Sequence, residues 1–237
     1  MIFAIDMSQT INVGSSPVLT LKGLNPKWHL SQVNMNKHLK QSDYKSMPWK
    51  NGLGTTMELA VSPHATAVKG SPFLWRISIA NVSEDGAFSH FPNIDRNLTM
   101  LQGNGMVLEV DGQGDLRLEA PLQSVAFSGE AEVTARLHDG PITDFNVMVD
   151  RRFAQARVEV FTLEDEVSLI LSATDIYFLH VPERSTAIVL SGDQGDVQIE
   201  SGESYLFKDT EQQISVGPVE SKPASLILAK ISILSPS

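Results

Sequence analysis

The chain has 237 residues, no cysteine, 42% hydrophobic and 19% charged residues, and a formal net charge of −10. Without cysteine, disulfides, iron–sulfur clusters, cysteine-zinc sites and thiol nucleophiles are excluded, and an acidic chain lacks the basic surface that nonspecific nucleic-acid binding needs. The apolar fraction is that of a globular protein long enough to bury about 70% of its unfolded surface without covalent or metal staples.

Residues 1–34 have no clear period and are interrupted by Gly14-Ser15-Ser16-Pro17 and Asn25-Pro26. They read as an extension before the folded part, with Met35 as a candidate start. The first six residues carry no basic run and no sustained apolar core, so they do not form a signal peptide. No stretch approaches the ~20 apolar residues of a membrane helix. The expectation is a cytoplasmic protein with no nucleic-acid or membrane partner.

Asn36 to Tyr44 is the best candidate for a short helix. Phe73 to Ala80 alternates at period two, with Trp75, Ile77 and Ile79 on one face and Arg76 and Ser78 on the other. Leu98–Leu101 and Met106–Val110 are strands around the Gly103-Asn104-Gly105 turn, and Asp111-Gly112-Gln113-Gly114 turns again. Gly and Asn supply the backbone conformations that tight hairpins need. In the second half, Ala187–Leu190, Val197–Ile199, Ser204–Phe207 and Ser225–Ile231 repeat this style. Short strands at regular spacing with glycine turns predict an all-β sandwich or barrel. The strand–turn–strand segments 100–108 and 189–197 are weakly alike. With a boundary near residues 150–155, the expected units are 1–34 as an extension, 35–150 as a first barrel and 151–237 as a second.

Trp49-Lys50-Asn51-Gly52 is the sharpest local signal. A flat apolar face, a cation, an amide and a glycine suit the capture of a small anion. The same residues also suit a reversal at Asn51-Gly52 with Trp49 on the core. Thr55, Thr56 and Glu58 follow, and on a strand Thr56 and Glu58 share one face. Glu58 is an acid–base candidate, or a surface residue, or a partner of Arg76 or Arg96. Arg76 can grip a carboxylate with its planar fork if its face lines a barrel interior. In Phe88-Ser89-His90-Phe91-Pro92, His90 is a second acid–base candidate and a ligand contact. Ser89 and His90 point to opposite faces, which argues against a catalytic pair. Asp95-Arg96 and Asp144-Phe145-Asn146 read as structural, because Asp and Asn favour turns, and Arg151-Arg152 reads as a solvated pair. None of the six histidines lies within five residues of another. A native metal needs three or more converging ligands, so neither metal nor cofactor is expected.

Three segments carry a resemblance to a known family. They are Met47-Pro48-Trp49-Lys50-Asn51-Gly52-Leu53-Gly54-Thr55-Thr56-Met57-Glu58-Leu59-Ala60, the run Phe73–Ala80 continuing through Asp85-Gly86, Phe88–Pro92 and Ile94-Asp95-Arg96, and Asp139-Gly140-Pro141 with Asp144–Arg152. In order and spacing they resemble the HutD/Ves family over residues 36–232. Leu53, where the family places a third glycine, and Met57, where a polar residue is usual, depart from it. The resemblance implies a bicupin, two cupin-like β-barrel subdomains in one chain, and a regulatory or accessory setting in histidine utilisation. The expected function is metal-free binding of a small carboxylate, such as N-formylglutamate or urocanate, by Trp49, Lys50, Asn51, Thr55, Arg76, Ser78 and His90. An isomerase or hydrolase using Glu58 and His90 is the alternative. A homodimer is expected only from the frequency of symmetric homo-oligomers.

Overall fold

Alternating side chains decide the architecture, because both faces of the central strands are buried and each face has a different task. The computed structural model describes residues 36–49, 54–64 and 68–234. Residues 1–34, Lys50, Asn51 and Leu53 lie outside the described residues. The first half contains β1 (Lys37–Leu39), β2 (Lys45–Pro48), β3 (Gly54–Ser62), β4 (Trp75–Val82), β5 (Gly86–Ala87), β6 (Ile94–Gln102), β7 (Met106–Val110), β8 (Gly114–Leu118), β9 (Ser124–Ser128), β10 (Val133–Leu137) and β11 (Ile142–Asp150). The second contains β12 (Ala154–Leu163), β13 (Val167–Leu171), β14 (Asp175–His180), β15 (Ile188–Gly192), β16 (Gly195–Ile199), β17 (Ser204–Phe207), β18 (Gln212–Pro218) and β19 (Ala224–Ile233). The described residues contain no α-helix, and so none that is long and apolar enough to cross a membrane.

Four antiparallel sheets result. The first half forms a six-stranded sheet, β2-β3-β4-β11-β6-β9, and a four-stranded sheet, β5-β10-β7-β8. The second half repeats the plan with a five-stranded sheet, β1-β17-β14-β19-β12, and a four-stranded sheet, β13-β18-β15-β16. The fold is thus the all-β bicupin that the strand spacing and the resemblance predict. The segment expected as a short helix is different. It forms β1 and a single 3-10 turn, Gln41–Asp43. Long-range pairing of Lys37 with Leu206 and Leu39 with Ser204 supplies the strand's hydrogen bonds, and local propensity yields to it. As a consequence, β1 belongs to the sheet of the second half.

Among the described residues, three large apolar clusters fill the spaces between sheets, beside a small one of Phe73, Ile94 and Met148. Trp75, Ile77 and Ile79 of β4 and Phe145, Val147 and Val149 of β11 pack on Phe178, Ile227, Ala229 and Ile231, joining the two large sheets back to back. Leu98, Met100, Met106, Leu108, Val133 and Ala135 fill part of the first barrel. Leu179, Ile188, Leu190, Ile199, Val216, Leu226 and Leu228 fill the second. Complete burial of a side chain such as Phe145 or Ile77 stabilises the fold by about 1.5–3 kcal/mol each. Because Phe145 and Val147 point to the inter-barrel core, the pleat turns Asp144 and Asn146 into the first barrel.

Candidate functional site

The first barrel holds a cavity of about 600 Å³. Its lining brings together β2–β4, the segment from Glu84 to Phe91, and the centre of the large sheet through Arg96, Asp144, Asn146 and Met148. Cross-strand register explains the grouping. Thr56 lies opposite Ala80 and Ala80 opposite Asp144, while Glu58, Ser78 and Asn146 form the next row. Two register shifts interrupt the sheet, between Glu58 and Ala60 on β3 and between Thr143 and Asp144 on β11. The first sits beside Glu58, the partner of the lining residue Arg76, and the second beside Asp144 of the lining, where a bulge re-aims side chains.

The floor is a buried polar chain. Arg96 donates through its terminal nitrogen to Asn146 Oδ1 at 2.8 Å. Asn146 in turn donates to Asp144 Oδ1. Arg96 Nε and Asp144 Oδ2 are buried and have no hydrogen-bond partner among the described residues. Burial pushes the Asp144 carboxyl up to about 7, outweighing the opposing pull of Arg96 and the Asn146 hydrogen bond. Burial also lowers the Arg96 guanidinium to about 10, so it remains a cation at neutral pH. The guanidinium carbon lies 4.8 Å from the Phe88 ring centre and 5.0 Å from that of Phe127. Those two faces hold the cation in place without consuming its hydrogen bonds.

The upper wall is built by Trp49, Thr56 and Arg76, with Glu58 behind it as the partner of Arg76. The Trp49 indole N–H donates to Thr56 Oγ1 at 2.8 Å, which fixes the ring against the strand. Gly54 makes this possible, since a Cβ there would stand 2.4 Å from the Asn81 carbonyl oxygen and 2.9 Å from the indole. Arg76 Nε donates to Glu58 Oε2 at 2.8 Å.

Of the residues expected at a site, Trp49, Arg76 and Ser78 line the cavity. Lys50 and Asn51 lie outside the described residues. Thr55 is not in the lining. It pairs with Asn81 on the opposite face of the pleat from Thr56, which takes its place. His90 is exposed and outside the lining, while its neighbours Ser89 and Phe91 contribute to it. The proposed acid–base pair of Glu58 and His90 is therefore not assembled, and Glu58 is the ion-pair partner of Arg76. Met57, one of the departures, packs against the inter-barrel core and faces away from the cavity.

Arg96, Asp144 and Asn146, read from sequence as structural, are the buried polar centre of the cavity. The signal was present in Asp144-Phe145-Asn146-Val147-Met148-Val149, where polar and apolar residues alternate like a strand with one lined face. Arg151 and Arg152 are partly exposed, as a solvated pair would be, but both are engaged in ion pairs. Arg151 bridges Asp95 at 2.7 Å and Glu130 at 3.0 Å, and Arg152 pairs with the buried Asp150 at 2.6 Å. No three His, Asp or Glu side chains among the described residues converge to hold a metal ion.

The comparisons with known proteins agree with this architecture. A family profile described as HutD matches residues 41–221. The chain is 38% identical over 163 residues to an uncharacterized 21.2 kDa protein in the hutC 3' region of Pseudomonas putida, covering 69% of this chain and 80% of that protein. It is 38% identical over 122 residues to the protein Ves of Escherichia fergusonii, covering 50% of this chain and 61% of that protein. A solved structure of HutD from Pseudomonas fluorescens SBW25, described as a formate condition, superposes with a TM-score of 0.70 at 29% identity. That match covers 84% of this chain and all of the other.

Proposed function

Because this chain belongs to the HutD family, we propose that its first barrel binds a small carboxylate and that the protein has a regulatory or accessory role in histidine utilisation. One observation carries the binding reading. A cavity of about 600 Å³ contains a buried guanidinium, Arg96, whose Nε donor has no partner. A buried unpaired donor costs roughly 1–3 kcal/mol, and a ligand oxygen placed there recovers it. Arg76 at the wall supplies a second cation, softened by Glu58, and the Trp49 ring supplies an apolar face. A short dicarboxylate such as N-formylglutamate, or a planar acid such as urocanate, matches this mixture of cations and flat apolar surface. The place in histidine utilisation rests on the family and on the hutC-region relative.

The test is a thermal-shift screen of metal-stripped protein against urocanate, N-formylglutamate, glutamate, histidine and formate, each with and without divalent metal. The expected result is a saturable shift with one of the acids in the absence of metal, worth about 2.7 kcal/mol at a hundredfold excess over Kd. Arg76→Ala weakens that shift, and Arg96→Gln removes it. No shift with any acid, but a clear one with a metal alone, defeats the reading.

A further inference from the structure

We infer that Asp144 is a specificity-determining contact that takes up one proton when an anionic ligand docks on Arg96, so that the site accepts an acid as the anion plus a proton. The inference rests on the binding reading above.

Four observations on geometry carry it. Asp144 is completely buried at the floor, with Oδ1 occupied by Asn146 and Oδ2 unpartnered. Arg96 lies within the same chain but spends a terminal nitrogen on Asn146 and forms no direct ion pair with Asp144 within 4 Å. The two unpartnered atoms are thus a donor, Arg96 Nε–H, and an acidic oxygen, Asp144 Oδ2. A carboxylate resting on Arg96 Nε brings a second anion toward the same buried cation, and in a buried site that like charge disfavours ionisation of Asp144. Protonation resolves the conflict. A solvent proton moves to Asp144 Oδ2, and that O–H then donates to the ligand oxygen, so both orphaned atoms are satisfied in one step.

Among the described residues, no other group near the floor offers the missing charge. Arg76 on β4 is paired with Glu58 on β3, and Glu84 adds a further negative group to the lining. From β6 the facing charged residue is Arg96 itself. The four-stranded sheet turns Met106, Leu108, Val133 and Ala135 inward, and its Glu109 and Arg136 meet each other at the surface. The raised carboxyl of Asp144 agrees with a proton that is exchangeable near neutrality.

The experiment is isothermal titration of the whole chain with N-formylglutamate and with formate, each acid in two buffers of different ionisation enthalpy, at pH 6 and at pH 8.5. Both acids are fully ionised across that range, so any proton taken up belongs to the protein. The expected result is near-zero uptake at pH 6 and close to one proton per ligand at pH 8.5, with Kd rising up to tenfold per pH unit above neutrality. Asp144→Asn loses the uptake and flattens the pH dependence of whatever affinity remains, while Arg96→Gln loses binding. Binding by the wild-type protein with no uptake at pH 8.5 overturns this inference alone. Absence of binding by both acids at either pH overturns it together with the binding reading.

Discussion

The two barrels follow one plan and fill it in opposite ways. Each half ends in a strand that sits inside its large sheet, β11 between β4 and β6, and β19 between β14 and β12. Toward the core shared by the barrels, both strands present apolar residues, Phe145 and Val147 on one and Ile227 and Ala229 on the other. Toward their own barrel they diverge. β11 presents Asp144 and Asn146 beneath a large cavity, and β19 presents Leu226 and Leu228 to a packed cluster. The hollow lined by Leu190, Tyr205 and Phe207 in the second barrel measures about 30 Å³. Packing in the second barrel contributes stability. The first gives up part of that packing for a polar floor with two unsatisfied atoms, as functional sites commonly do.

Truncation at the floor and in the core tests that division most directly. Arg96→Ala removes the donor to Asn146 and leaves that buried amide oxygen unpaired, and unfolding in denaturant should show a loss of about 1–3 kcal/mol at neutral pH. Leu226→Ala in the second barrel should lose about 2–5 kcal/mol by opening a void. Only the first change should abolish the acid-induced thermal shift. Equal loss of ligand response in both would break the assignment of one barrel to binding and the other to scaffold.

The pH dependence sharpens the comparison with a smaller effect. Asp144 has its carboxyl raised to about 7 in the fold, so the native state holds a proton that the unfolded chain releases near pH 4. Its contribution is fully present below pH 4 and is lost as pH rises toward 7. His180 of β14, buried against Phe145 and hydrogen-bonded to Ser204 Oγ at 2.9 Å, is pushed down to about 3 by burial. Its contribution is present above pH 6.5 and is lost as pH falls toward 3. Stability measured by denaturant between pH 4 and 7 should therefore combine a falling limb removed by Asp144→Asn and a rising limb removed by His180→Gln. A profile unchanged by both substitutions would contradict the placement of these groups.

The smallest effect separates two adjacent residues. Thr56→Val frees the Trp49 indole N–H and should weaken acid binding by about 0.5–1.5 kcal/mol. Thr55→Val, on the other face, should leave the affinity unchanged. Titration followed by Trp fluorescence reads both.

Much of the fold was legible because period-two patterning is local. Trp75, Ile77 and Ile79 identify their own buried face, and Arg76 and Ser78 follow onto the cavity side. The parts that were not legible depend on distant partners. β1 is a strand only because β17 pairs with it. Thr56 replaces Thr55 in the lining because the register against β4 fixes the pleat. Arg96, Asp144 and Asn146 read as structural because Asp and Asn favour turns, whereas the alternation across Asp144–Val149 carries the better information. His90 lies next to two lining residues, and one step along the chain is enough to turn it to solvent.

The pairing of β1 with β17 sets an order of events during folding. The first described strand can find its partner only after most of the chain has been made, so this sheet closes at high contact order. Such late closure slows folding. Until then, the edge of β17 is unpaired and open to mispairing with other chains.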